Sequence, residues 1–214
     1  RKFDVELDST MNDGMQEQIR AMLMKQSQKE YNLKFTEHES EYKQEATLDD
    51  NNTISGGGLQ IVVAGSGGND VLYKDLKENR YADQVEMFGK QFLIKDDLET
   101  PEWKLHKETK NIGQYTCFKA TYTRTRTIMV AESNDDGTNP ESSEHTEEEE
   151  VEVTAWFTPL IHVKNGPSEY HGLPGFIIDV NDGMETLLCS NIVLNPEKGI
   201  DIDEPTKGKE VKDE

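Results

Sequence analysis

The stretch Val153–Val180, V-T-A-W-F-T-P-L-I-H-V-K-N-G-P-S-E-Y-H-G-L-P-G-F-I-I-D-V, sets what this chain can fold into. Two apolar runs, Val153–Phe157 and Phe176–Val180, enclose a segment with prolines at 159, 167 and 174 and glycines at 166, 172 and 175. These breakers recur too closely for a helix to form between them. Pro174 fixes its own φ and pushes Leu173 into the extended region, while Gly172 and Gly175 tolerate positive φ. Leu173-Pro174-Gly175-Phe176 therefore fits a type II β-turn, with Pro second and Gly third, that launches a strand at Phe176. The segment is either an architectural corner or a rigid frame that presents Tyr170 and His171 to a ligand or partner. Turn chemistry alone accounts for every Gly and Pro in it.

The rest of the chain reads as strands with one helix. Met15, Ile19, Met22 and Leu23 fall at i, i+4, i+7 and i+8, which predicts an amphipathic helix over 14–29, capped by Asn12 or Asp13. Its methionine stripe suits packing on a sheet. Tyr31, Leu33 and Phe35 alternate with Asn32 and Lys34, and Ser40–Ala46 continues around Tyr42 as the second strand of a hairpin with one wet face. Leu59–Ala64, Val71–Lys74, Arg80–Phe88, Gln91–Lys95 and Trp103–Leu105 follow as short strands, with a tight turn at Gly89-Lys90. Tyr115–Tyr122 runs into Thr123–Val130, whose alternation places Arg124 and Arg126 on one face, either pairing with anions or solvated.

Between Ala131 and Glu150 the composition shifts to Gly, Pro, Ser, Asn and nine acidic residues, which reads as an acidic mobile insertion. Asn181-Asp182-Gly183 reads as the turn of a hairpin joining Phe176–Val180 to Thr186–Leu194. Gly199–Glu204 is expected to add a short strand, and the tail from Pro205 to Glu214 to fray. The expected architecture is one domain over 1–214 of mainly β (α+β) class. It is a curved antiparallel sheet, half-barrel or sandwich, with the N-terminal helix packed on it and an apolar concave face able to hold a lipid or peptide.

A formal net charge of -20 argues against nucleic-acid partners and against docking on anionic lipid, because both need clustered Lys and Arg. No run of about 18 apolar residues exists to span a membrane as a helix. Gly65-Ser66-Gly67 after an apolar run invites a dinucleotide reading, but the third fingerprint glycine falls on Asp70, and the Gly-Lys of a P-loop is missing. Asp179–Gly183 opens like a calcium loop, yet its glycine comes one residue early and its twelfth position is Ser190. H-E-x-x-H, G-x-S-x-G and C-x-x-C are all missing, so no cofactor and no catalytic set is expected. The alternative is a metal-binding protein or metal-dependent hydrolase, with His162 and His171 as ligands and Asp179 or Glu169 as a third.

Ala155-Trp156-Phe157-Thr158-Pro159, Asn165-Gly166-Pro167 and Gly172-Leu173-Pro174-Gly175-Phe176-Ile177 together resemble the signature of the GLPGLI family of exported envelope proteins of Gram-negative bacteria. The phrase F-L-I-K-D-D-L-E-T-P-E-W-K-L and the settings of Cys117 and Cys189 are also similar to that family. The resemblance implies export to the periplasm or outer membrane and a protein partner there, such as a TonB-dependent transporter system. It implies no established activity. Cys117 and Cys189 are either a structural disulfide, closing a loop on the order of 70 residues and contributing roughly 4 kcal/mol, or two separate thiols. The expected binding surface is Trp156, His162, Tyr170, His171 and Leu173, displayed by the turn at Gly172, Pro174 and Gly175.

Overall fold

The structure is a computed structural model and describes residues 28–45, 53–56, 59–62, 70–87, 89–132 and 143–212. Every regular element among them is a strand. A six-stranded sheet has the order β1 (Tyr31–Phe35), β2 (Glu39–Gln44), β5 (Val71–Asp75), β6 (Arg80–Met87), β7 (Lys90–Asp97) and β13 (Lys209–Val211). A five-stranded sheet has the order β12 (Thr186–Leu188), β11 (Phe176–Asn181), β10 (Ser143–Thr158), β9 (Tyr115–Glu132) and β8 (Lys104–Ile112). β3 (Thr53–Gly56) and β4 (Leu59–Val62) form a separate hairpin. The α+β expectation is therefore corrected: the described residues are all β, with no helix among them. The stripe Met15–Leu23 lies outside the described residues.

Alternation builds the core. On β10, Val151, Val153, Ala155 and Phe157 are buried on one face, joined by Ala120 of β9 and by Ile177 and Val180 of β11. On the opposite face Cys117, Phe176 and Ile178 form a second cluster, over which β1 lays Leu33 and Phe35. The Phe35 and Phe176 rings stack at 4.6 Å, so the first strand of one sheet packs on the second sheet. β11 serves both clusters, which is why F-I-I-D-V reads as a continuous apolar run rather than an alternation. A third cluster of Tyr73, Ala82 and Leu93 lies in the six-stranded sheet under Ile202.

Four expectations change. Ser143–Glu150, read as part of a mobile insertion, is paired strand facing Thr125–Glu132. Pairing is tolerable because no glutamate of β10 faces another carboxylate: Glu144 opposes Ala131, Glu147 opposes Ile128, Glu148 opposes Thr127, Glu149 opposes Arg126 and Glu150 opposes Thr125. Gly199–Glu204 is irregular and is held by Ile202 and by the Arg80–Glu204 ion pair. The tail does not fray at Pro205, since Lys209–Val211 pairs in parallel with Phe92–Ile94. Gly208 makes this possible, because a Cβ there would sit 2.7 Å from the Phe92 carbonyl carbon.

The fourth change concerns the cysteines, which are both free thiols. Cys117 lies on β9, whereas the Cys189 N–H donates to the Ile178 carbonyl on the outer side of β11. β10 and β11 stand between them in the sheet order. Three strand spacings amount to about 14 Å, twice the reach of about 7 Å that a disulfide allows between Cα atoms.

Candidate functional site

The chain between β10 and β11 is folded by its own small residues. The Leu173 carbonyl accepts from the Gly175 N–H at 2.8 Å, a three-residue γ-turn centred on Pro174. This corrects the expected type II turn. Gly175 is required there by proximity, because a Cβ would lie 2.3 Å from the Thr158 carbonyl oxygen. One turn earlier the Gly172 N–H donates to the Lys164 carbonyl, Asn165 and His171 form an isolated antiparallel bridge, and the Ile177 N–H donates to the Asn165 carbonyl at 3.0 Å. Gly166 packs where a Cβ would meet Ile177 Cβ at 2.7 Å.

The loop folds inward onto the core. Tyr170, His171 and Leu173 are 4%, 4% and 1% exposed, so the expectation that they are displayed at a surface is corrected. Tyr170 and Leu173 belong to the cluster built on Val153, Ala155 and Phe157. The His171 carbonyl accepts from Trp103 Nε1 at 2.8 Å, its Nδ1 lies 2.9 Å from the Glu169 carbonyl and its Nε2 lies 3.5 Å from Thr100 Oγ1. Burial holds this imidazole below its usual pKa, the Glu169 carbonyl resists that, and Lys74 adds to it. Trp156 is half-buried against the opposite cluster, under Lys110 Nζ at 4.3 Å from its ring, and Lys110 also pairs with Asp179 at 2.6 Å. His162 is exposed. The five residues thus do not share one surface. Among the described residues, no three His, Cys, Asp or Glu side chains converge on a point where a metal ion would sit.

Lys74, which sequence reasoning did not single out, organises the site. It is fully buried on β5, and its Nζ donates to the Gly166 carbonyl at 2.9 Å and the Tyr170 carbonyl at 3.2 Å. Burial pushes its ammonium down to about 7, against the pull of Glu169. Ser40, the direct cross-strand partner of Lys74, and Asn165 are also fully buried, and Ser40 Oγ and Asn165 Nδ2 have no hydrogen-bond partner. No sequence signal marks this cluster: Val71–Asp75 is a short strand with one lysine, and Asn165-Gly166 looks like an ordinary turn.

Arg124 closes the loop from outside. It pairs with Glu169 and, at 2.8 Å, with Asp182, and lies over the Tyr170 ring at 5.9 Å. Burial works against the Asp182 charge, but the Glu185 and Met184 N–H groups and the Arg124 guanidinium outweigh it and hold the carboxyl below its usual range. A depressed carboxyl contributes stability above its unfolded pKa and loses it as pH falls through the folded value. Arg124→Gln is expected to cost about 1–3 kcal/mol at pH 7. The gap from the parent chain should narrow in urea titrations at pH 3, and an equal gap at both pH values would refute this account.

Residues 103–179 match the family model described as "Protein of unknown function (Porph_ging)". That match takes in β8 to β10, the folded loop and most of β11, and covers less than half of the chain. No curated protein matches. Two solved structures of PNGF-II are similar at 14% identity, one with a TM-score of 0.43 over 78% of this chain and 26% of that one. The other has a TM-score of 0.46 over 87% of this chain and 28% of that one. The chain spans about a quarter of the length of that protein.

Proposed function

We propose that this chain is a non-catalytic, exported envelope protein of the GLPGLI type that assembles with a basic surface of an outer-membrane or periplasmic protein. The observation that carries the reading is the ribbon of Thr123–Glu132 and Ser143–Val153. β8 pairs with β9 only as far as Thr121, and β11 pairs with β10 only from Thr154 onward. Among the described residues, no further strand covers either edge of the ribbon. Unpaired edges accept an added strand, and charge decides which strand is accepted. Glu148, Glu150 and Glu152 are exposed and alternate onto one face of β10, opposite Thr127, Thr125 and Thr123. That face repels acidic chains and favours one carrying Lys or Arg.

The form of the surface favours a macromolecular partner over a lipid or small peptide. Two depressions among the described residues are open and lined mainly by polar side chains, one over β1 and β2 and one beside Asp203–Lys207. A lipid or small peptide needs a deeper apolar cavity. The test is fluorescence anisotropy of a labelled peptide of alternating lysine and threonine against the full chain, at low and high salt. Binding that weakens with salt and is lost in Glu148→Lys/Glu150→Lys/Glu152→Lys supports the reading. Equal binding by parent and variant overturns it.

A further inference from the structure

We propose that Lys74 Nζ and Asn165 Cγ join in an intramolecular amide, tying β5 of the six-stranded sheet to the loop that leads into β11 of the five-stranded sheet. Both side chains are fully buried, and both are held on the same residue. Lys74 Nζ lies 2.9 Å from the Gly166 carbonyl oxygen, and Asn165 Oδ1 accepts from the Gly166 N–H at 2.9 Å. The Asn165 amide nitrogen has no acceptor, so nothing holds it in place as a hydrogen-bonded group. A donated hydrogen bond at Oδ1 draws electrons from Cγ and steadies the oxygen that becomes negative when an amine adds there.

The amine is suited to attack. Nucleophilic lysines are those that burial leaves unprotonated at neutral pH, and Lys74 is buried with only carbonyl oxygens as its hydrogen-bond partners. The charged and titratable groups around it are Glu169 and the His171 imidazole. The step balances without a co-reactant. The Nζ–Cγ bond forms, the Cγ–Nδ2 bond breaks, a proton from the attacking nitrogen passes to Nδ2, and ammonia leaves. Ser40, opposite Lys74 across the β2–β5 pair, offers a buried, unpartnered hydroxyl on the same face to carry that proton.

The backbone keeps the partners together. Asn165 is held to β11 through Ile177 and to His171 through the bridge, and Lys74 is fixed within β5 between β2 and β6. The experiment is intact-mass measurement of the folded full chain, followed by tandem mass spectrometry of a protease digest. The expected result is a chain lighter by about 17 Da, the mass of ammonia, with one branched peptide joining the segments around Lys74 and Asn165. Lys74→Arg and Asn165→Ala should each restore the full mass. Asn165-Gly166 can also lose ammonia by closing to a succinimide on its own backbone, so a light chain with only linear peptides overturns the proposal. A chain of full mass, with Lys74 open to amine labelling after denaturation, overturns it as well.

Discussion

Gly175→Ala is expected to destabilise the protein by about 3 kcal/mol or more. The added Cβ would lie 2.3 Å from the Thr158 carbonyl oxygen, 2.7 Å from its carbon and 2.9 Å from Pro159 Cα. All three are backbone atoms, so no rotamer change relieves the contact. Thr158 is fully buried and sits opposite Phe176 at the end of β10, so the two strands would have to part where both core clusters meet. Gly113→Ala is the control: it has positive φ of 57° and no heavy atom within 4 Å of its Cβ position. Its cost should be only about 1 kcal/mol. Urea midpoints of the two variants decide the matter, and a Gly175→Ala midpoint no lower than that of Gly113→Ala would refute the packing argument.

The strands with strong punctuation were legible from sequence. Tyr31-Asn32-Leu33-Lys34-Phe35 alternates, and the structure makes the three apolar residues half-buried and the two polar ones exposed. Asn181-Asp182-Gly183 does turn β11 into β12, with Gly183 at φ 86° and the Asp182 N–H donating to the Glu185 carbonyl. Arg124 and Arg126 do share a face, across from Val151 and Glu149. What failed depended on tertiary packing. An aromatic and a histidine set among Gly and Pro look displayed, yet the same turns fold Tyr170 and His171 under the sheet, because Leu173 and Tyr170 fill the face that Ala155 and Ala120 leave open. The type II turn gave way because the approach to Thr158 governs Gly175, and a close approach between distant residues leaves no local trace. Glu147–Glu150 suggests solvated coil by its charge density, while the chain keeps the carboxylates from facing one another by setting them opposite Ile128, Thr127, Arg126 and Thr125. Lys74 was unreadable for a related reason: a lysine in a short strand is ordinarily at the surface, and only the loop docking on β5 buries it.

Lys74→Met is expected to be the costliest change on the six-stranded sheet. Methionine fills much of the same buried volume but brings no donor, so the Gly166 and Tyr170 carbonyls lose the nitrogen that now satisfies them. An unsatisfied buried acceptor costs about 1–3 kcal/mol, so a loss of about 3 kcal/mol is expected even after the gain from removing a buried cation. The pH dependence separates this amine from simple packing. A free Lys74 has a folded pKa of about 7 against an ordinary lysine value of 10.5, so between those values the unfolded chain binds more protons than the folded one. Stability must therefore rise with pH across that window. Asn165→Ala keeps the amine free whether or not the parent chain is cross-linked, so its urea midpoint should climb from pH 7 to pH 9.5. Below that limit Tyr170, which burial holds above its usual range, stays protonated. The midpoint of Lys74→Met/Asn165→Ala should stay level over the same range, and a parallel climb in both chains would show that some other group carries the slope. A parent chain that is level while Asn165→Ala climbs is the signature of an amine already consumed, and a parent that climbs equally has its lysine free.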